Sequence, residues 1–186
     1  MTTATREKLL EATYFLECMK KTQSDRDAFK YNLSAFLSAA RSITLIMQKE
    51  FDKVSGFKEW YAEKRDQMRK DQIMNLLNDK RTMTIHQQSV RPHAHVNISL
   101  MAQSVCIPSI SIRVIRADGT FKRRESEPMP LPKPAKAEVT TEWRWYFHEL
   151  PEKDVITICE EHKTKLEAFV VECESRFTFD GNGHFD

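Results

Sequence analysis

Residues 29–53 read FKYNLSAFLSAARSITLIMQKEFDK, and the spacing within this stretch decides the fold class. Phe29, Leu33, Phe36, Leu37, Ala40, Ile43, Leu45, Ile46 and Phe51 recur at three- and four-residue intervals, the period of one helix face. The pattern predicts a long helix ending near Lys53, entered from the loop Thr22–Gln23–Ser24 through Asp25 as a cap. Upstream, Leu9, Leu10, Tyr14, Phe15, Cys18 and Met19 keep the same spacing, giving a first helix from an N-cap at Thr5 to Lys20. Downstream, Ser55–Gly56 breaks the pattern, and Phe57, Trp60, Tyr61, Met68, Ile73, Leu76, Leu77 and Met83 carry a third helix toward Ile85. Short connections between such helices imply antiparallel neighbours, so residues 5–88 are expected to form a helical bundle.

Past Gln88 the apolar period drops from 3.6 to 2. Ala94, Val96, Ile98 and Leu100 alternate with His95, Asn97 and Ser99, as on a half-buried strand. Ile110, Ile112 and Val114 repeat the alternation, Asp118–Gly119 is a hairpin turn signal, and Phe121 follows. The run from Glu127 to Pro134 places a proline at every second position and reads as a stiff extended loop. Val139, Thr141, Trp143, Trp145 and Phe147 then define a further strand. Beyond Pro151, taken as a helix start, Val155, Ile158, Cys159, Leu166, Phe169, Val170, Cys173 and Phe177 form one helical stripe. The expected fold is therefore α+β: three long antiparallel helices plus a C-terminal helix over 151–177, with a small antiparallel sheet inserted over 93–148. A single domain of residues 1–186 ends in a mobile tail, 178–186.

Composition narrows the function classes. The 29 Lys and Arg against 27 Asp and Glu leave a net charge of +2, which argues against a general DNA coater with its strong basic excess. No apolar run approaches the roughly 20 residues of a membrane span, and the first residues lack a signal-peptide core, so a cytoplasmic protein is expected. Cys18, Cys106, Cys159 and Cys173 are scattered without a C-x-x-C pair, which signals neither a zinc ribbon nor a disulfide framework. At helical spacing, Cys18, Cys159 and Cys173 read as buried reduced thiols.

The segment richest in chemistry is Leu77-Asn-Asp-Lys-Arg-Thr-Met-Thr-Ile-His86. Arg81 stands five positions before His86 near the end of a long helix, and this resembles the R-x4-6-H motif of the HEPN superfamily. The resemblance covers about residues 5–90. It implies an all-helical core, a homodimer with paired motifs across a cleft, and metal-independent RNA cleavage in a toxin or defence system, with an antitoxin as a possible partner. Thr82 departs from the family pattern, where Asn commonly follows the Arg.

The two residue types suit that chemistry. A guanidinium forks onto phosphate oxygens, and an imidazole near neutrality serves as acid or base toward a 2′-hydroxyl. Neither role uses a metal or an organic cofactor. Five residues on a straight helix are about 140° apart in direction, so one subunit aims both side chains at one point only if the helix ends or deforms near Thr82. A plain alternative makes Arg81 a surface cation suited to a helix C-terminus and His86 a linker residue.

Three other features carry chemistry of their own. His93 and His95 share a strand face close to His86 and form a weaker, metal-binding alternative. Trp143-Arg-Trp145-Tyr-Phe147 has the aromatic and basic alternation that stacks bases, although Val139 on the same face favours a core. Arg113, Arg116, Lys122, Arg123 and Arg124 make a basic hairpin, suited to anionic contacts or to a solubilising sheet edge. His148, His162 and His184 stand isolated in the sequence. The functional expectation is a HEPN-like candidate endoribonuclease acting through Arg81 and His86. Its alternative is a non-catalytic scaffold or binding module with the same bundle.

Overall fold

The computed structural model describes residues 2–86, 90–101, 111–115, 120–125 and 138–177. These contain five helices and four strands: α1 (Ala4–Lys21), α2 (Arg26–Phe51), α3 (Phe57–Lys70), α4 (Gln72–His86), β1 (His93–Met101), β2 (Ser111–Ile115), β3 (Phe121–Glu125), β4 (Glu138–Tyr146) and α5 (Val155–Arg176). The expected α+β class holds, with the strands placed before the last helix. Asp118–Gly119, the proline-rich run from Glu127 and the tail 178–186 lie outside the described residues.

Two compact units are present. The first joins Met1–His95 to Trp143–Asp186 and carries all five helices; the second is Val96–Glu142. In the sheet order, β1 neighbours β4 and β2 neighbours β3. The β2–β3 register is antiparallel and sets Arg113 opposite Arg123 and Val114 opposite Lys122.

Within the first unit, α1 and α2 make the most extensive helix pair, and α5 packs on α1, α2 and α4. Leu16, Met19, Phe29, Leu33, Phe36, Ile43, Phe51, Phe57, Leu77 and Ile158 are fully buried between them. Ala39 and Ala40 of α2 also face this core. Trp145, at the end of β4, lies inside the same unit with no exposed surface. Its ring stacks on Phe29 with centroids 4.4 Å apart, and its Nε1–H donates to the Gln23 carbonyl at 3.0 Å. The core alternative for this strand is thus the observed one at Trp145, and Arg144 donates to the Pro151 carbonyl at 2.7 Å.

Helix ends follow local polar chemistry, in places other than those expected. Thr3, not Thr5, caps α1 by accepting from the Arg6 N–H. Thr5, the second residue of α1, is buried, and its N–H and hydroxyl donate to Glu50 of α2 at 2.9 and 2.6 Å. The start of α1 is tied to α5 as well, because Glu174 accepts from Thr3 and pairs with Arg6. Asp25 caps α2 as expected, accepting from the N–H groups of Asp27 and Ala28. Gly56 precedes α3 at φ 76°, a left-handed conformation that a side chain would strain.

The expected third helix is two helices. Asp71 breaks it in extended conformation, and its carboxylate accepts from the N–H groups of Ile73 and Met74 at 3.0 Å each, which restarts the chain as α4. Burial pushes the Asp71 carboxyl up, but Lys165 and those two amides outweigh it and hold the group below its usual range. The last helix likewise starts at Val155, four residues later than expected, because Asp154 is its cap. Asp154 uses its other oxygen to accept from the Trp145 N–H at 3.0 Å. No helix among the described residues is long and apolar enough to cross a membrane.

Cys159 and Cys173 are buried reduced thiols and Cys18 is half-buried. Burial pushes the Cys159 thiol far above its ordinary range and the Cys173 thiol up to about 12, the latter with help from Glu174, Glu50 and Glu172. Only the thiolate reacts, so both should resist a thiol reagent in the folded protein. Mass mapping after a short pulse of iodoacetamide at pH 8 is expected to find label at Cys18 well before Cys159 or Cys173. Comparable labelling of Cys159 and Cys18 would contradict the packing of α5.

Candidate functional site

Arg81 lies on α4 five residues before the end of that helix, and its side chain lines a cavity of about 380 Å³ bounded by α2, α3, α4 and α5. His86 is the last residue of α4, and its side chain is outside the described set. The helix runs on through Thr82 without ending there. The backbone therefore leaves the two positions on one continuous helix, about 140° apart in direction.

The cavity gathers residues that share helix faces. From α2 come Leu37, Ala40, Arg41, Thr44, Leu45 and Gln48; from α3 come Tyr61, Arg65, Met68 and Arg69. From α4 come Met74, Asn75, Leu77, Asn78 and Arg81, and from α5 come His162 and Leu166. Each set steps at three- or four-residue intervals, so each helix presents one face to the same space. Four of these side chains are arginines and none is acidic.

Burial orders the lining by depth. Leu37, Ala40, Thr44, Tyr61, Met74, Leu77, His162 and Leu166 are buried and make the floor. Arg41 and Arg81 are half-buried, while Arg65, Arg69, Asn75 and Asn78 are exposed at the mouth.

Among the described residues, Arg41, Arg65 and Arg81 enter no salt bridge, and Arg69 has a 3.7 Å contact with Asp66 on its own helix. Arg41 instead donates to the Thr44 hydroxyl at 2.9 Å, which orients its guanidinium. Gln48 donates to both the Thr44 carbonyl and the Tyr61 hydroxyl, at 3.1 and 2.9 Å, so the polar floor on this side is satisfied internally.

Among the described residues two buried side-chain nitrogen atoms are not satisfied: Arg81 Nε and His162 Nδ1 have no hydrogen-bond partner there. An orphaned buried polar atom costs roughly 1–3 kcal/mol, more where charge is involved. His162 packs edge-on against Phe36, with ring centroids 6.4 Å apart. Burial pushes its pKa down to about 4; Asp71 opposes that shift and Lys165 adds to it. The imidazole is therefore neutral near pH 7, a hydrogen-bonding group rather than a cation.

His162 was invisible as an isolated histidine in the sequence, yet it stands four residues from both Ile158 and Leu166 on a buried stripe. A histidine centred on an apolar helix face is the signal that could have marked it. Of the other histidines, His93 stacks on Tyr146 at 5.3 Å and lies 6.4 Å from the His148 ring. Among the described residues no group of three His, Cys, Asp or Glu side chains is placed to hold a metal ion.

Comparison with known proteins points away from the HEPN resemblance. A family model described as bacteriophage lambda protein ea47 matches residues 2–172. Protein ea47 of Escherichia phage lambda is 35% identical over 54 residues, which cover 29% of this chain and 13% of that protein's length. No solved structure matches. The HEPN assignment rested on two residues at a spacing that any charged helix supplies, and a family match over nearly the whole chain overturns it. The chain belongs to the bacteriophage lambda Ea47 family.

Proposed function

We propose that the helical unit is a binding module whose cavity captures a phosphate-bearing anion. The observation that carries this reading is the convergence of Arg41, Arg65, Arg69 and Arg81, from three helices, on one cavity with no acidic lining residue. Among the described residues Arg41, Arg65 and Arg81 have no counter-charge, so they repel one another, and a bound anion relieves that repulsion. Guanidinium groups pair with phosphate oxygens in a forked geometry, the strongest hydrogen-bonding match available to them. Arg81 suits this role and an RNA-cleaving one alike, but binding needs only the groups that the cavity gathers.

Calorimetric titration of the full chain with pyrophosphate, in a phosphate-free buffer at low salt, tests the proposal. Saturable binding is expected. Arg65→Gln and Arg81→Gln should each weaken it by about 10- to 100-fold, since a hydrogen bond to a charged group contributes roughly 1.5–3 kcal/mol. A circular dichroism melt controls for folding. No saturable heat with wild type, or equal affinity in folded variants, overturns the proposal.

A further inference from the structure

We infer that the β2–β3 ribbon is a contact surface for duplex DNA, seated in the major groove on the face that carries Arg113 and Arg123. It involves the second unit alone and none of the cavity residues. The charge of the chain is not spread evenly. Outside Val96–Glu142, 22 Lys and Arg meet 22 Asp and Glu, whereas within that unit seven meet five, so the whole excess of +2 lies there. The ten strand residues of the ribbon concentrate it further: Arg113, Lys122, Arg123 and Arg124 stand against one carboxylate, Glu125. A small net charge excludes a general DNA coater, but it does not exclude one local contact of this kind.

The register orders these charges. Because faces alternate along a strand, the pairs Ser111–Glu125, Arg113–Arg123 and Ile115–Phe121 share one face, and Ile112–Arg124 and Val114–Lys122 share the other. On the second face each cation stands opposite an aliphatic residue. On the first, two arginines hold directly opposed positions, where like charges destabilise the pairing. Glu125, at the end of that face, supplies one carboxylate for two cations. A polyanion relieves the repulsion, and duplex DNA offers one negative charge per roughly 1.7 Å of its axis. Phe121, 61% exposed, belongs to the same face. An apolar ring there suits the thymine methyl group, which the major groove displays and RNA lacks.

Shape favours the DNA duplex as well. Among the described residues β2 and β3 form a sheet of their own, two strands wide. At five residues each, the strands run about 17 Å. The B-form major groove, about 12 Å wide, admits a two-stranded ribbon, whereas the deep, narrow A-form groove of RNA does not. A single strand binds by stacking its bases on successive aromatic side chains, and the ribbon residues include one aromatic, Phe121.

Fluorescence anisotropy of the full chain against a labelled DNA duplex of about 20 base pairs, in about 50 mM NaCl, tests the inference. Saturable binding is expected, with log K falling against log salt at a slope of about −3 to −4, as four phosphate contacts give. The Arg113→Gln/Arg123→Gln double variant should bind about tenfold or more weakly and lower the slope by about two. An RNA duplex of the same sequence should bind wild type about tenfold more weakly than the DNA. A circular dichroism melt controls for folding. If that double variant does not fold, Lys122→Gln/Arg124→Gln decides by the same loss of affinity and slope.

No saturable binding of DNA overturns the inference, and so does wild-type affinity in the folded variant that decides. RNA bound as tightly as DNA overturns the major-groove seating. Retention on phosphatidylserine vesicles without DNA binding makes the ribbon a lipid contact and overturns it too. Loss of DNA binding in Arg65→Gln, with none in the folded ribbon variant, places the nucleic acid on the helical unit instead.

Discussion

Trp145→Ala is expected to lower the unfolding free energy by about 3–5 kcal/mol, the range for truncating a large aromatic in a core. The ring has no exposed surface, stacks on Phe29 and donates from Nε1 to the Gln23 carbonyl. Truncation removes the stacking area, opens a cavity beside α2 and leaves that carbonyl without its donor. For a chain of this size the melting temperature should fall by roughly 10 °C. Trp145→Phe keeps an aromatic against Phe29 but not the donor, so it should cost less, about 1–2 kcal/mol. Urea denaturation followed by far-UV circular dichroism measures both. An alanine variant within about 1 kcal/mol of wild type would mean that β4 does not anchor the helices.

Acid should weaken the protein well before its carboxylates titrate, and His162 should be the cause. The unfolded imidazole takes a proton near its ordinary pKa of about 6.5, whereas the folded one resists until about 4. Between those values the unfolded state holds the extra proton, so stability falls as pH falls. It is complete above about 6.5 and lost through the window down to 4. The full span is on the order of 3 kcal/mol, and about 2 kcal/mol of it should appear between pH 6.5 and 5.

The carboxylates held low in the fold, among them Asp71, Glu172 and Glu174, act below that window. They lose their contribution only as pH drops through the usual carboxylate range and beyond. His162→Phe should flatten the stability profile from pH 6.5 to 5. Urea midpoints in acetate and MES buffers, without phosphate, check this, and an equal acid slope in wild type and a folded variant would place the titrating group elsewhere.

The parts of the fold that were legible in the sequence are those set by local repetition. Nine apolar positions between Phe29 and Phe51 announced α2, and Asp25 announced its cap. Alternation from Ala94 to Leu100 announced β1, and Val139 with Trp145 announced a strand rooted in the core. The break at Asp71 was not legible. Lys70 and Gln72 flank it and no glycine or proline marks it; the one local trace is the five-residue step from Met68 to Ile73, about 140° in direction on a straight helix. Only the three-dimensional placement of Lys165 and the free amides of Ile73 and Met74 make a cap of that carboxylate.

Of the residues that line the cavity, Arg81 is the one that its sequence context singled out. Arg41, Arg65 and Arg69 look like solvated charge on their own helices, and nothing local tells that three helix faces meet. The R-x4-H spacing drew attention to one of the four arginines that line the cavity, for a reason that the family match does not support. His162 shows the same limit from the other side, since its meaning depends on Phe36 and on the space beside it, both distant in sequence.

The interruption at Asp71 also changes what the arginines of α3 and α4 can recognise. On one unbroken rod, with a rise of about 1.5 Å per residue, Arg81 would stand about 24 Å along the axis from Arg65 and about 18 Å from Arg69. Charges strung out in that way match an extended polyanion lying alongside. With the rod cut at Asp71, the same three residues border a single concavity. A linear array suited to a filament becomes a focus suited to a compact anion, and one capping carboxylate makes the difference.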